Sequence, residues 1–116
     1  MIQLKRIYEK NDKNDGFRIL IDRLWPRGIK KEEANIDLWL KEIAPSNELR
    51  KWFHHEAANW DDFKKKYLAE LSHKKDLLSV VREAEKEHKV VTLLYGAKDK
   101  EHNQALVIAE ILEKQK

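Results

Sequence analysis

The chain has 116 residues, enough for one core under a few helices and too few for two, so a single domain over 1–116 is expected. Charged residues make up 39% of it, yet 24 basic against 21 acidic side chains leave a net charge of only +3, which places most charge on solvated faces and argues against nucleic acid as the first choice of partner. The absence of cysteine excludes disulfides, thiolate nucleophiles and cysteine-held zinc or iron-sulfur groups. No secretory signal is recognisable and no apolar run approaches the ~20 residues of a spanning helix, so a cytoplasmic protein without a membrane partner is expected.

Ile2, Leu4, Ile7 and Tyr8 alternate incompletely among charged residues, the pattern of an outer strand. Asn11-Asp12-Lys13-Asn14-Asp15-Gly16 then supplies dense turn chemistry, and so short a connection predicts an antiparallel hairpin to the next strand. That strand is Phe17-Arg18-Ile19-Leu20-Ile21, which runs into the ionic loop Asp22-Arg23-Leu24-Trp25-Pro26-Arg27-Gly28. The period then changes. Ile36, Trp39, Leu40 and Ile43 stand at i, i+3, i+4 and i+7 and predict an amphipathic helix, opened by Asn35 or Asp37 and stopped by Pro45. Ser46 is placed to cap a shorter helix with Leu49, Trp52 and Phe53 on its apolar side, closed by His54-His55. Trp60, Phe63, Tyr67 and Leu71 mark the next helix, and Leu77, Val81 and Ala84 a fourth.

Val90-Val91-Thr92-Leu93-Leu94-Tyr95 is apolar almost throughout, as a central parallel strand buried on both faces would be. The helices between it and the 17–21 strand permit parallel pairing of the two. A last helix turns Ala105, Ile108, Ala109 and Leu112 inward and starts near Asp99, whose carboxylate would cap it. The sum is an α/β domain: a small, mainly parallel three-stranded sheet covered by about five helices.

Ligands of open α/β sheets bind outside the carboxyl ends of the strands, and both apolar strands here end in charge. The second runs into Gly96-Ala97-Lys98-Asp99-Lys100-Glu101-His102-Asn103-Gln104. Arg23 and Arg27 are planar permanent cations suited to carboxylate or phosphate, and Arg50 with Lys98 would extend the positive lining. Tyr95 and Asn103 add polar contacts, and Trp25 follows the strand end closely enough to join them. A small phosphorylated or carboxylated molecule is the natural guest. If the domain is an enzyme, hydrolysis or group transfer is the simplest chemistry, with Asp22, Asp99 and His102 as acid-base groups.

Each of these residues also has a structural reading. Asp22 would serve equally as an arginine's ion-pair partner, and Asp99 as a helix cap. A divalent metal shared by Asp22, Asp99 and His102 is the weaker branch, because no clustered motif such as His-Glu-x-x-His is present. The sequence names no cofactor. Trp39, Trp52 and Trp60 fall on apolar stripes and are assigned to the core. Lys64-Lys65-Lys66 and Lys74-Lys75 read as solvated helix faces. The alternative to a pocket is a noncatalytic module that contacts nucleic acid or a partner protein through these basic helices.

Several blocks occur in order: the loop 22–28; Ala44-Pro45-Ser46 with Leu49-Arg50-Lys51-Trp52-Phe53 and His55; Trp60, Phe63 and Tyr67; then Thr92-Leu93-Leu94-Tyr95 with Ala97-Lys98-Asp99 and His102-Asn103-Gln104-Ala105. Together they resemble the YeaO-like proteins, a bacterial and archaeal family described as a domain of unknown function. The resemblance spans nearly the whole chain. It implies a small α/β domain with recurring polar positions, among which His55 matches better than His54, and it names no reaction. Some longer relatives look like they carry a Cys-His-Arg triplet where this chain has Asn103-Gln104-Ala105, so the resemblance implies a site without its most obvious nucleophile. It also implies that the first two strands run parallel, against the hairpin expectation.

Overall fold

The computed structural model describes residues 1–54 and 56–115. Its sheet has four strands, β1 (Ile2–Arg6), β2 (Phe17–Leu20), β3 (Leu38–Trp39) and β4 (Val91–Tyr95), all parallel and in the order β1-β4-β2-β3. Five α-helices accompany it among the described residues: α1 (Lys31–Ala34), α2 (Asn47–Phe53), α3 (Trp60–Leu71), α4 (Lys75–His88) and α5 (Gln104–Lys114). The α/β class and the helix number agree with the sequence reading, while the sheet gains a strand.

Two local expectations are overturned. First, β1 and β2 form no hairpin, because β4 lies between them and each pairs with it in parallel. Residues 7–16 carry the chain across β4, and the crossover is pinned on the way where the Thr92 hydroxyl donates to the Asp15 carbonyl at 2.6 Å. A short 3-10 turn at Lys13–Asp15, with a reciprocal Asp12/Asp15 cap, makes this crossover compact enough to dispense with a helix. Gly16 closes it at φ 65°, where any Cβ would sit 2.7 Å from the Cβ of Val90. Only glycine fits there.

Second, no helix covers residues 36–43. Leu38–Trp39 is the edge strand β3, paired to Ile19 and Leu20, and Lys41–Ile43 is a 3-10 turn. The helical spacing of Ile36, Trp39, Leu40 and Ile43 is coincidental. Ile36 and Trp39 pack against one face of the sheet, while Leu38, Leu40 and Ile43 join the core on the other. An apolar Leu38 inside the stripe is what strand alternation requires and a one-sided helix does not.

Helix α1 (Lys31–Ala34) is not among the expected elements, while α2 to α4 follow their sequence signals. The Ser46 hydroxyl accepts from the Leu49 amide at 3.1 Å, and His54 ends α2 in the left-handed conformation. α3 and α4 bury Phe63, Tyr67, Leu71, Leu78, Val81 and Ala84. β4 is buried along its whole length, as expected of the central strand. Helix α5 departs in one detail: its cap is Asn103, whose side-chain oxygen accepts from Leu106, and Asp99 lies upstream of it. Trp52 departs too, being 42% exposed beneath the Lys66 ammonium rather than in the core. Trp60 packs on the core edge as expected.

The two faces of the sheet are covered unequally. One carries the main core shared with α2 to α5. The other has a small apolar patch of Ile7, Leu20 and Leu94 under Trp25, Ile29, Ile36 and Trp39, beside a buried ionic cluster of Asp15, Arg18 and Lys5. Arg18 also donates to the carbonyls of Ala34 and Asn35, so its charge helps position the segment that covers this face. Trp25 therefore belongs to the second face; its indole N–H donates to Ile29 at 2.7 Å, and its ring meets Trp39 edge-on.

Candidate functional site

Parallel strands bring three strand ends to one edge, and the chain ties them together there. The Asp22 carboxylate, just past β2, accepts from the Gly96 amide at 2.8 Å and from the Gln104 side chain at 2.5 Å. The Arg6 guanidinium, at the end of β1, donates to the Ala97 carbonyl at 2.8 Å and to Gly96 at 3.3 Å. The loop after β4 is thus held from both neighbours. Glycine at 96 suits this clasp, since a Cβ at that position would lie 2.8 Å from the Asp22 carboxylate oxygen and push it aside.

Beside the clasp is a cavity of about 250 Å³ lined by Asp22, Arg23, Leu24, Ala44, Pro45, Arg50, Phe53, Phe63, Gly96, Ala97, Asn103 and Gln104. Its apolar wall is built on α2 and α3, where Phe53 and Phe63 stack with ring centroids 4.2 Å apart. Its polar wall comes from the strand ends and the start of α5. The wall on the α2 side is well anchored. Ser46 donates through its amide and hydroxyl to the two Glu70 carboxylate oxygens, at 2.9 and 2.6 Å, and the Tyr67 hydroxyl donates to the Ile43 carbonyl at 2.7 Å.

Of the residues singled out in the sequence, Asp22, Arg23, Arg50 and Asn103 line this cavity, and the structure gives them different conditions. Arg23 is committed to the backbone: its Nε donates to Pro45 and one Nη to Ala44, both at 3.1 Å, with Glu42 3.9 Å away. Arg50 donates through one Nη to Asn47 at 3.3 Å, while its buried Nε has no partner. Burial pushes the Asp22 carboxyl up to about 6, against the opposing pull of the Gly96 amide, Gln104 and the Arg50 charge. Asn103 is buried, donating to the Asp99 carbonyl at 2.9 Å while it caps α5.

The other candidates stand elsewhere. Arg27 is exposed, and its carbonyl receives the Tyr8 hydroxyl at 2.9 Å on the far side of the 22–28 loop. Lys98 is exposed and lines no part of the cavity. Tyr95 is buried at the end of β4, where burial pushes its hydroxyl up. Asp99 accepts from the amides of Glu101 and His102, and its other oxygen meets the His102 ring nitrogen at 2.8 Å. The His102 ring lies edge-on to Trp60, behind the aromatic wall. His55 falls outside the described residues. Among the described residues no cluster of three or more metal-ligating side chains occurs.

Sequence reasoning missed Gly96 and Gln104 as partners of Asp22, and Phe53 and Phe63 as cavity walls. Gln104 carried a usable signal, as the first helical residue beyond a charged strand end. Phe53 and Phe63 carried none, because an apolar helical stripe reads the same whether it meets a core or a cavity.

Fold and site define a parallel α/β domain with a half-apolar cavity at the carboxyl edge of its sheet. A family model described as "Inactive DUF488-N3 subclade" matches residues 1–116, and the chain belongs to that family. It is 49% identical over 112 residues to "Uncharacterized protein YeaO" of Escherichia coli (strain K12), covering 96% of each chain. It is 37% identical over 111 residues to "Uncharacterized protein Rv3073c" of Mycobacterium tuberculosis, covering 96% of this chain and 92% of that one. No solved structure matches it. No helix among the described residues is long and apolar enough to cross a membrane.

Proposed function

We propose that the protein is a noncatalytic binding module whose cavity takes a small carboxylate on Arg50. The observation that carries this reading is the Arg50 guanidinium at the cavity wall, which meets Asn47 through one Nη and has no carboxylate within ion-pair distance among the described residues. An anionic guest would meet the Nη groups, because the Nε is closed to the cavity, and would pair a charge that the surrounding protein leaves without a carboxylate. Arg23, the other arginine at the wall, is already engaged by two carbonyls, so the guest meets one guanidinium. The neighbouring Asp22 carboxylate disfavours a dianion there, which favours a carboxylate over a phosphate.

The residues support binding more than catalysis. Both Asp22 oxygens already accept hydrogen bonds, Asn103 is occupied as a cap, and Asp99 with His102 stands outside the cavity. The family description carries the word inactive, which agrees with that arrangement. Ligand-shift melts with acetate, 3-phenylpropanoate and inorganic phosphate test the reading. The expected result is a stabilising shift by 3-phenylpropanoate that Arg50→Met abolishes; absence of a shift in the parent protein would end it.

A further inference from the structure

The cavity holds two opposite charges that attract each other across it without forming an ion pair. Asp22 and Arg50 both line it, yet no ion pair joins them. Each is fixed by separate contacts: Asp22 by the Gly96 amide and Gln104, Arg50 by Asn47. Keeping a carboxylate and a guanidinium apart in a half-apolar space forgoes the closer attraction and hydrogen bonds that direct pairing would supply. A guest bearing both charges restores it at both ends.

Resting on the carboxylate-binding reading above, we infer that the guest is a zwitterion, a free α-amino acid with an apolar side chain. Its carboxylate meets Arg50, its ammonium meets Asp22, and its side chain lies against Leu24, Phe53 and Phe63. An ionised carboxylate has about four acceptor positions and Asp22 uses two, which leaves room for an ammonium. Pockets for drug-sized ligands start near ~300 Å³. At about 250 Å³ this cavity suits one amino acid better than a peptide. Apolar walls of two stacked phenyl rings and a leucine favour a large apolar side chain over a polar one.

Titration calorimetry of the full chain with L-phenylalanine, L-leucine, 3-phenylpropanoate and 2-phenylethylamine tests this. L-Phenylalanine should bind roughly tenfold or more tighter than 3-phenylpropanoate, because the ammonium adds a charge-assisted contact. Asp22→Asn should erase that preference while still binding 3-phenylpropanoate, and Arg50→Met should weaken both ligands. Equal affinity of the parent protein for the two acids overturns the zwitterion and leaves the carboxylate reading standing. Failure of every compound to bind overturns both. The comparison within the parent protein decides even if a variant folds poorly.

Discussion

Asp22 is held in a place that suits its neutral form, since burial moves its carboxyl up to about 6 from the ordinary 3.8. The folded chain therefore binds this proton more tightly than the unfolded chain does. Its contribution is full below pH ~4 and is lost as pH rises through 6, on the order of 3 kcal/mol by pH 8. Asp22→Asn keeps an acceptor for the Gly96 amide without the charge. Urea denaturation should find the variant more stable than the parent by about 1–3 kcal/mol at pH 8 and nearly equal to it at pH 4; a variant weaker at pH 8 would contradict this account. A carboxylate that lowers stability at neutral pH is the pattern that functional positions commonly have, which supports the binding role proposed for Asp22. The arginines of the same loop differ for a local reason. Arg23→Gln strands the Pro45 carbonyl, leaves Ala44 with the Lys74 ammonium alone at 3.0 Å, and should lose about 1–3 kcal/mol. Arg27→Gln, at an exposed position, should stay within about 0.5 kcal/mol in the same melts.

At the scale of elements, the decisive segment is residues 35–45, where helical spacing and strand pairing compete for the same apolar residues. Strand pairing wins because Asp37 is anchored at both ends: its amide donates to the Arg18 carbonyl and its carboxylate accepts from the Arg18 amide, each at 2.9 Å. This puts Trp39 over the second face of the sheet, with its indole N–H donating to the Asp22 carbonyl at 2.7 Å and its ring against Trp25. Trp39→Ala should therefore cost about 3 kcal/mol or more, through lost packing and an orphaned carbonyl at the site. Trp52→Ala should cost less than about 1 kcal/mol, since that ring is 42% exposed on α2. Chemical denaturation of the pair checks both orientations. A large loss at Trp52 would show that its face of α2 is covered.

Across the whole molecule, the two faces of the sheet are stabilised by different physics. Apolar burial under four helices accounts for one face, and on the other an ion network substitutes for a missing layer. Asp15 and Arg18 are 4% and 5% exposed and bonded directly to each other, with the Lys5 ammonium 3.2 Å from Asp15. Burial opposes the Asp15 charge, but the Asp12 amide, Lys5 and Arg18 outweigh it and hold the carboxyl below its usual range. Asp15→Ala would leave Arg18 buried without its counter-ion and should cost about 3–5 kcal/mol. Its urea midpoint should fall accordingly, and an unchanged midpoint would mean that the carbonyls of Ala34 and Asn35 alone suffice for Arg18.

Much of this architecture is local and was legible in the residues. The Ser46 cap, the stripes of α3 to α5 and the unbroken apolar run of β4 each depend on neighbours a few positions away, so α/β class, the later helices and a charged carboxyl edge could be read directly. Asp22 and Arg50, which line the cavity, were legible as candidates for the same reason, being charges placed at the end of a buried strand and on a capped helix. Strand order, the direction of β1 relative to β2 and the existence of β3 were decided by contacts far apart in the chain, such as Thr92 with Asp15 and Asp37 with Arg18. The same holds for the arginines. Side chains identical in sequence acquire different roles only when folding presents Arg23 with two carbonyls and leaves the Nε of Arg50 with none, because hydrogen-bond satisfaction belongs to the three-dimensional neighbourhood and not to the residue.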